Sequence, residues 1–352
     1  MEHAPVPLVV QYLYVHEQGE RFHYPSARAD SSAGRVAARY LECALTQAAS
    51  LQLQQARCEL ALATNIEDRD ALGREAVGLL DSLEALGVRI LPTEYRHRPR
   101  AGTEIYVSSR YVLDAILSCT EGQLPERQIW LTDLDCVWPD PELVFASAPA
   151  TEEIGCVYIP YPPDWDTVGF EMHGRTRRAI GDMARAMGGS EEVPPWVGGE
   201  LLAGRPQALR DMVSACEELD AALAREDKTL PNEEQILSLA GAIGRVRFCD
   251  LSRVARRMTT GTRSHGERVA DALELGLWHL PAEKGLSLRR AARQVRSGRT
   301  GRLRRDLADP ARAARRFKVQ GTGLPRQIRD DGWLVSQRVL GAARSALPSR
   351  RT

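Results

Sequence analysis

Two aspartates that directly follow an apolar run are the residues whose types and spacing best suit chemistry. The run 128–132 ends at Thr132, and Asp133, Leu134 and Asp135 come next. In an extended chain alternate side chains point the same way, so both carboxylates can converge on one divalent ion. Hard oxygen ligands suit Mg²⁺ or Mn²⁺, which in turn bridges the phosphates of a nucleotide. The alternative is a turn with two solvated acids.

The elements before this pair predict how it is positioned. Apolar runs predict buried strands at 7–14, 58–64, 88–91 and 128–132. Apolar positions at helical spacing predict helices over 33–49, 70–86 and 108–117. Strict alternation of strand and helix indicates parallel βαβ crossovers and a Rossmann-like, doubly wound sheet. Such sheets bind ligands beyond the carboxyl ends of their strands, which is where the aspartate pair follows the fourth strand.

The second half of the chain is less regular. Strands are predicted at 155–159, 197–202 and 246–250. Helices are predicted over 176–187, 207–225 and 232–242, and a basic helical pattern begins near Leu288. The fold class is therefore α/β, with a mixed second half and a helical end.

The order of these motifs resembles that of the GT-A-fold, nucleotide-sugar-dependent glycosyltransferases, in particular the glycogenin and lipopolysaccharide galactosyltransferase group. In that fold a Rossmann-like half ends in a metal-binding Asp-x-Asp, and the preceding helix often carries an arginine near the nucleotide. Arg110 stands 23 residues before Asp133, within the segment 106–111. The resemblance covers roughly residues 7–285 and implies a GT-A fold with a mostly parallel sheet.

We therefore predict one GT-A domain over 1–285, followed by a basic helical extension over 286–352. Within the domain, 1–140 would form the nucleotide-binding half and 141–285 the mixed, acceptor-binding half.

The resemblance also implies roles for two glutamates. In the segment 196–204, glycines would let the backbone approach a sugar ring closely. Glu200 would offer a carboxylate to hydroxyls and Trp196 a stacking face, the alternative being a structural turn before a strand. Glu233 resembles the acidic helix start that faces the transferred sugar, although Asn232 and Glu233 would also make a good helix cap. If the enzyme is inverting, Glu200 or Glu233 would be its catalytic base.

A histidine and a lysine occupy the place of a metal and phosphate segment in the related enzymes. A neutral imidazole at His279 would complete the metal shell of Asp133 and Asp135, and Lys284 would bind a phosphate. Together with Arg110, Asp133 and Lys284 would contact the nucleotide. Lys284 follows His279 by five residues, whereas the family spacing is six, so a structural histidine is the alternative.

The predicted function is transfer of a sugar from a nucleotide-diphosphate sugar, with UDP-sugars favoured, assisted by Mn²⁺ or Mg²⁺. The acceptor would be a glycan, a lipid-linked sugar or a small molecule. A second enzyme class, the haloacid-dehalogenase-type phosphatases, has an Asp-x-Asp nucleophile motif on its first strand, whereas here at least three strands precede the pair. A non-catalytic protein that binds an anionic surface is the third interpretation.

Charge is distributed unevenly along the chain. The formal net charge is zero, yet residues 286–352 hold 18 basic and four acidic residues. A basic amphipathic helix here would lie on an anionic membrane or pack on the acidic body. The extension lacks interleaved aromatics, which argues against nucleic acid. With no signal peptide or membrane span, and seven scattered cysteines, we expect a cytoplasmic protein, peripheral on the inner membrane surface if the helix binds lipid.

Overall fold

The computed structural model describes residues 5–17, 33–99, 108–164, 176–190, 193–258 and 271–319. The strands within these ranges are β1 (Leu8–Leu13), β2 (Glu59–Thr64), β3 (Val88–Pro92), β4 (Ile129–Thr132), β5 (Cys136–Val137), β6 (Ile154–Ile159), β7 (Trp196–Gly204), β8 (Phe248–Asp250), β9 (Ala255–Arg257) and β10 (Leu277–His279). The helices are α1 (Ala33–Leu53), α2 (Arg74–Ala85), α3 (Tyr111–Thr120), α4 (Pro141–Phe145), α5 (Arg177–Ala186), α6 (Pro206–Arg225), α7 (Glu233–Ala242), α8 (Ser287–Arg296), α9 (Gly301–Leu307) and α10 (Pro310–Arg316).

The main sheet of the described residues has seven strands in the order β3-β2-β1-β4-β7-β6-β8. β1 to β4 run parallel, whereas β7 is antiparallel to both β4 and β6. The predicted architecture, mostly parallel with a mixed second half, is confirmed. Crossover helices cover both faces of the parallel part, so β4 is buried along its whole length.

An irregularity in the antiparallel part displaces three residues of β7. Cys156 of β6 pairs with Leu202, but the next residue, Val157, pairs with Gly198. Residues 199–201 therefore oppose no residue of β6 and form a bulge. Bulges re-aim side chains and recur beside functional sites.

A second sheet was not predicted from the sequence. β5, β10 and β9 form it in that order, with β10 antiparallel to β5 and parallel to β9. Strands of two or three residues are too short for a period of two to be recognised. This small sheet nevertheless lies directly after Asp135 and contains His279.

The described part of the predicted extension packs on the domain. Leu288, Ala291 and Ala292 on α8 are fully buried, and α8 lies along α1. The Thr46 hydroxyl of α1 donates to the Leu288 carbonyl oxygen at 2.9 Å. The apolar face of α8 is thus covered by protein. Residues 320–352 lie outside the described residues, and none of the described helices is both long and apolar enough to cross a membrane.

A partly buried histidine links the segment after β3 to two helices. His97 Nδ1 lies 2.7 Å from Asp114 Oδ1 of α3, and Nε2 lies 2.9 Å from Glu217 Oε1 of α6. The other Asp114 oxygen accepts from the backbone N–H groups of Arg96 and His97. Burial lowers the pKa of His97, but the two carboxylates outweigh it, so the pKa is raised above its usual value.

We expect His97→Ala to lower the free energy of unfolding by about 2 kcal/mol near pH 6, the scale of a hydrogen bond to a charged group. Because the pKa is raised in the folded state, this stabilisation is complete below the unfolded-state pKa and declines as pH rises through the folded one. Urea unfolding at several pH values measures it. Arg96→Ala is the matched control, since Arg96 reaches Asp114 through its backbone alone. A His97→Ala effect that does not change with pH would contradict the assignment.

Candidate active site

The carboxyl ends of β1 and β4 bring Tyr12 and Asp133 together. The two strands pair in parallel, and the Tyr12 hydroxyl donates to Asp133 Oδ1. The Asp133 backbone N–H donates to the Glu200 carbonyl oxygen at 3.1 Å, which ties the aspartate to the bulge of β7. Both oxygens of Asp133 are therefore oriented, with Oδ2 directed away from Tyr12.

A buried glutamine of α1 forms hydrogen bonds at the end of β4. With its amide oriented to satisfy both atoms, Gln47 of α1 donates to the Asp133 carbonyl oxygen at 3.0 Å and accepts from Thr132 Oγ1 and Trp138 Nε1. Gln47 is fully buried. Helix α1 thus holds the Asp133 carbonyl group and the side chains of Thr132 and Trp138 through Gln47.

The small sheet delivers the third candidate metal ligand. His279 of β10 pairs with Cys136 of β5, and the Leu280 backbone N–H donates to the Asp135 carbonyl oxygen at 2.9 Å. This pairing holds His279 beside the aspartate pair although 144 residues separate it from Asp135. The sequence prediction that Asp133, Asp135 and His279 converge agrees with this geometry.

The three side chains have the geometry of a metal site. His279 Nε2 is 3.2 Å from Asp133 Oδ2 and 3.2 Å from Asp135 Oδ2. Ligand atoms about 2.1 Å from one octahedral ion lie about 3.0 Å apart at adjacent positions. When one ligand atom is taken from each of the three residues, all three atoms lie within 4.8 Å of one another. Two carboxylates and an imidazole suit Mn²⁺ or Mg²⁺.

Unsatisfied polar atoms support the same interpretation. Among the described residues, Asp135 Oδ2 and both ring nitrogens of His279 are buried and have no hydrogen-bond partner of good geometry. Asp135 Oδ2 and His279 Nε2 are in ion-pair contact, but buried polar atoms without a well-formed hydrogen bond are rare, and an ion is one accepted explanation. The residues present therefore fit a divalent cation.

The charged groups of the cluster shift one another's pKa values. Burial would raise the pKa of Asp135, but Lys284 and His279 hold it well below its usual range. Burial raises the pKa of Asp133 by more than His279 lowers it. Burial would lower the pKa of His279, but the carboxylates of Asp135, Glu200 and Asp133 raise it to about 9. The Asp135 carboxylate is therefore ionised at neutral pH, as a metal ligand must be.

Lys284 lies on the cavity side of the aspartate pair. Its Nζ is 3.3 Å from Asp135 Oδ2 and 5.1 Å from the centre of the Tyr40 ring. It lines a cavity of about 170 Å³ together with Asp133, Asp135 and Glu233. A larger cavity of about 350 Å³ lies at the opposite edge of the sheet, where β2 and β3 begin, remote from these groups.

Glu233 reaches the same cavity from the start of α7. The Asn232 side chain accepts from the Gln235 backbone N–H at 2.9 Å, so the capping interpretation is also correct. A Cβ at Gly199 would lie 2.7 Å from Glu233 Oε1, so glycine is required there by the glutamate. Burial and the neighbouring Glu234 raise the pKa of Glu233 to about 8.

Glu200 does not line the cavity and is paired with a partly buried arginine, Arg257. Its Oε2 accepts from Arg257 at 2.8 Å and its Oε1 from the same guanidinium at 3.2 Å. Burial would raise the pKa of Glu200, but Arg257 and His279 lower it to about 2. A carboxylate paired on both oxygens is a poor general base, so this environment favours a structural role over the predicted catalytic one.

Trp196 and Gly198 also differ from what the sequence suggested. Trp196 is buried, and its Nε1 donates to Glu234 Oε2 at 2.7 Å. A Cβ at Gly198 would lie 2.2 Å from Glu200 Oε2. The glycines of this strand make room for two glutamates of the protein itself, so the expected approach of backbone to a sugar ring does not account for them.

Arg110 is not brought to the cavity by the fold. Its guanidinium is paired with Asp220 of α6 and donates to the Leu230 carbonyl oxygen. Arg110 is buried, and these partners tie α3 to the segment before α7. Its contact with a nucleotide stays a prediction, and this ion pair does not favour it.

Sequence reasoning missed two residues of the site. Tyr12 is the penultimate residue of the first strand, and the rule that parallel strands bind ligands at their carboxyl ends could have identified it. No local signal marked Arg257, because it is one of three arginines between residues 253 and 257 and nothing in the sequence distinguishes it from the others. Its importance follows entirely from its partners.

Comparison with solved structures shows which known fold this chain has. No family model matches the chain, and no curated protein matches it. A solved complex of the galactosyltransferase LgtC with donor and acceptor sugar analogs aligns with a TM-score of 0.51 at 10% identity, over 83% of this chain and 95% of that one. An active-site mutant of LgtC gives 0.49 at 12% identity over 77% and 86%, and the apo bifunctional glycosyltransferase WbbM gives 0.47 at 10% identity over 78% and 45%. The chain has the GT-A-type fold of this galactosyltransferase group, as predicted.

The metal site yields a direct prediction. Asp135→Asn removes one ligand charge without changing size, so we expect the affinity for Mn²⁺ to fall about tenfold or more. Electron paramagnetic resonance of Mn²⁺ titrated into the metal-free chain measures it. Asp182→Asn, at an exposed position of α5, is the control and should bind as the wild type does. Equal affinity in Asp135→Asn and wild type would exclude Asp135 as a ligand.

Proposed function

We propose that this chain is a metal-assisted glycosyltransferase that uses a nucleotide-diphosphate sugar, with UDP-sugars favoured as donors. The observation that carries the proposal is the convergence of Asp133, Asp135 and His279 at the carboxyl edge of a GT-A-type sheet. The alternative of two solvated acids does not fit, because Asp135 is 1% exposed. The similar LgtC structure was solved with donor and acceptor sugar analogs, which supports the same classes of ligand here.

The proposed metal ligands are Asp133, Asp135 and His279, for Mn²⁺ or Mg²⁺. A divalent cation held there would supply electrostatic stabilisation to the diphosphate leaving group. Tyr12 orients Asp133 by its hydrogen bond, and Gln47 holds the backbone of the same residue. Lys284 would offer its ammonium group to a phosphate oxygen, because it lines the cavity beside Asp135.

Glu233 is the proposed residue that addresses the transferred sugar. It lines the same cavity as Lys284, and its Oε2 is buried without a hydrogen-bond partner among the described residues. The raised pKa leaves the carboxyl group partly protonated near neutral pH. A protonated carboxyl can donate a hydrogen bond to a sugar hydroxyl and accept another. Of the two glutamates singled out by the sequence, Glu233 is the better candidate for catalysis.

The two other interpretations are weaker on the same geometry. A haloacid-dehalogenase-type phosphatase has its aspartate motif on the first strand, whereas β1 to β3 precede Asp133 here. A non-catalytic binding protein would have no need to bring two aspartates and a histidine to common ligand positions, with Asp135 and His279 buried. Both remain distinguishable by experiment.

The test is release of nucleoside diphosphate from a panel of nucleotide-diphosphate sugars with Mn²⁺. We expect one donor to be hydrolysed slowly by the wild type, and EDTA to stop the release. Asp135→Asn and Glu233→Gln should each lose about 10²-fold or more in rate, the usual scale for an electrostatic or acid–base group. Asp182→Asn is the matched control.

Phosphate release from simple phosphate esters, without nucleoside diphosphate, would support the phosphatase interpretation. Absence of turnover with every donor would support the non-catalytic one. Glu233→Gln with full activity would remove Glu233 from the proposed site.

We further propose that the extension contacts an anionic membrane by charge alone, which would suit a lipid-linked acceptor. The apolar face of α8 is packed on α1, so what faces outward is basic. The exposed basic residues of α8 to α10 and the turns that follow each helix are together called here the basic face: Arg290, Arg293, Arg296, Arg299, Arg302, Arg304, Arg305, Arg312, Arg315 and Lys318. Each basic residue near an anionic lipid surface contributes about 1 kcal/mol.

Flotation with vesicles tests the basic face. We expect the full chain to float with phosphatidylglycerol vesicles at low salt and to dissociate from them as salt rises. It should not float with phosphatidylcholine vesicles. Substitution of Arg299, Arg302, Arg304 and Arg305 by serine should release it without loss of the fold, because all four side chains are exposed. A chain that never floats would make a soluble acceptor the better proposal.

A further inference from the structure

The second ring nitrogen of His279 faces a carboxylate. Nε2 lies against Asp133 and Asp135, so Nδ1 points to the other side of the ring, toward β7. There the Glu200 Oε1 atom lies 3.9 Å away. That separation is too long for a hydrogen bond, and Nδ1 has no other acceptor of good geometry among the described residues.

Glu200 is held in this position by three structural features. The bulge of β7 displaces residues 199–201, so Glu200 leaves the regular alternation of the strand. β9 and β10 pair in register with Arg257 opposite His279. The Arg257 guanidinium donates to both oxygens of Glu200, at 2.8 and 3.2 Å. Glu200 therefore sits between the arginine and the histidine and is 1% exposed.

Arg257 is itself anchored on two further elements. Its guanidinium donates to Glu234 of α7 and, at 2.9 Å, to the Tyr161 hydroxyl. A guanidinium with several fixed acceptors is pre-organised, and a planar fork sets the plane of the carboxylate that it binds. The orientation of Glu200 toward His279 is thus determined by residues outside the cavity.

We propose that Glu200 is a positioning residue that accepts the Nδ1–H of His279 and thereby directs the Nε2 lone pair at the metal, with Arg257 holding Glu200 for this purpose. The inference rests on the proposed metal site. Metal-binding histidines almost always donate their second N–H to a carboxylate, carbonyl or water, which fixes the tautomer. A movement of the ring by about 1 Å closes the 3.9 Å separation to hydrogen-bond length.

This role explains why Glu200 is doubly paired although it lies beside a candidate catalytic centre. An acceptor for Nδ1–H must present an oxygen in a fixed direction, and Arg257 holds the Glu200 carboxylate in one plane. A general base would need a free oxygen directed at the acceptor sugar. The same contacts that exclude Glu200 as a base make it a good partner for the histidine.

The experiment measures Mn²⁺ affinity of the full chain without nucleotide. We expect Glu200→Gln to bind Mn²⁺ 10- to 100-fold more weakly, the usual effect of losing an outer partner of a ligand. Tyr161→Phe is the matched control, because it removes one acceptor of Arg257 and leaves both contacts with Glu200. It should bind within about twofold of the wild type. If Glu200→Gln fails to fold, Arg257→Lys, which keeps the charge and loses the fork, should give the same loss.

A second readout reports the tautomer directly. In the Mg²⁺-loaded wild type, ¹⁵N magnetic resonance should show His279 protonated at Nδ1 and not at Nε2. Wild-type affinity in the folded glutamine variant would overturn the inference and leave the metal site standing. Protonation at Nε2 would overturn the inference and would also remove His279 from the proposed metal ligands. A wild type that binds no divalent ion would overturn both.

Discussion

The structure depends on the burial of several carboxylates at one edge of a sheet. Asp135 and Glu200 are each 1% exposed, and Asp133 and Glu233 lie beside them. A buried carboxylate that lacks a partner costs several kcal/mol, so each acid needs a base or an ion within reach. The chain can satisfy this requirement only by bringing residues from distant segments to the ends of β4 and β7.

The small sheet meets most of that requirement. β9 brings Arg257 to Glu200, β10 brings His279 to Asp135, and the turn after β10 brings Lys284. These strands have three residues each, and their own hydrogen bonds could not hold them in water. They are held because β10 pairs with β5, the strand that directly follows the aspartate pair. The acids and their partners therefore stabilise one another.

Helix α1 connects this site to the C-terminal helices. Gln47 of α1 donates to the Asp133 carbonyl oxygen. Helix α8 also packs on α1, and there Arg289 of α8 donates to Glu42 of α1 at 3.1 Å. Nearly every residue of α1 from Val36 to Leu51 is buried, which is unusual for a crossover helix that faces solvent on one side. The first part of the basic extension thus covers the domain, and its positive charge is left on the outer surface.

The sequence by itself determined the α/β class, the strands of the main sheet to within about two residues, and the edge at which Asp133 and Asp135 lie. Period and alternation are local properties, so they can be read without knowing which segments meet. The partners of Glu200, Trp196 and Arg110 were decided only by tertiary structure. Glu200 pairs with an arginine 57 residues away and Arg110 with an aspartate 110 residues away. A local pattern gives the face and the end of an element, but a bulge and a long-range strand pairing decide what each side chain meets.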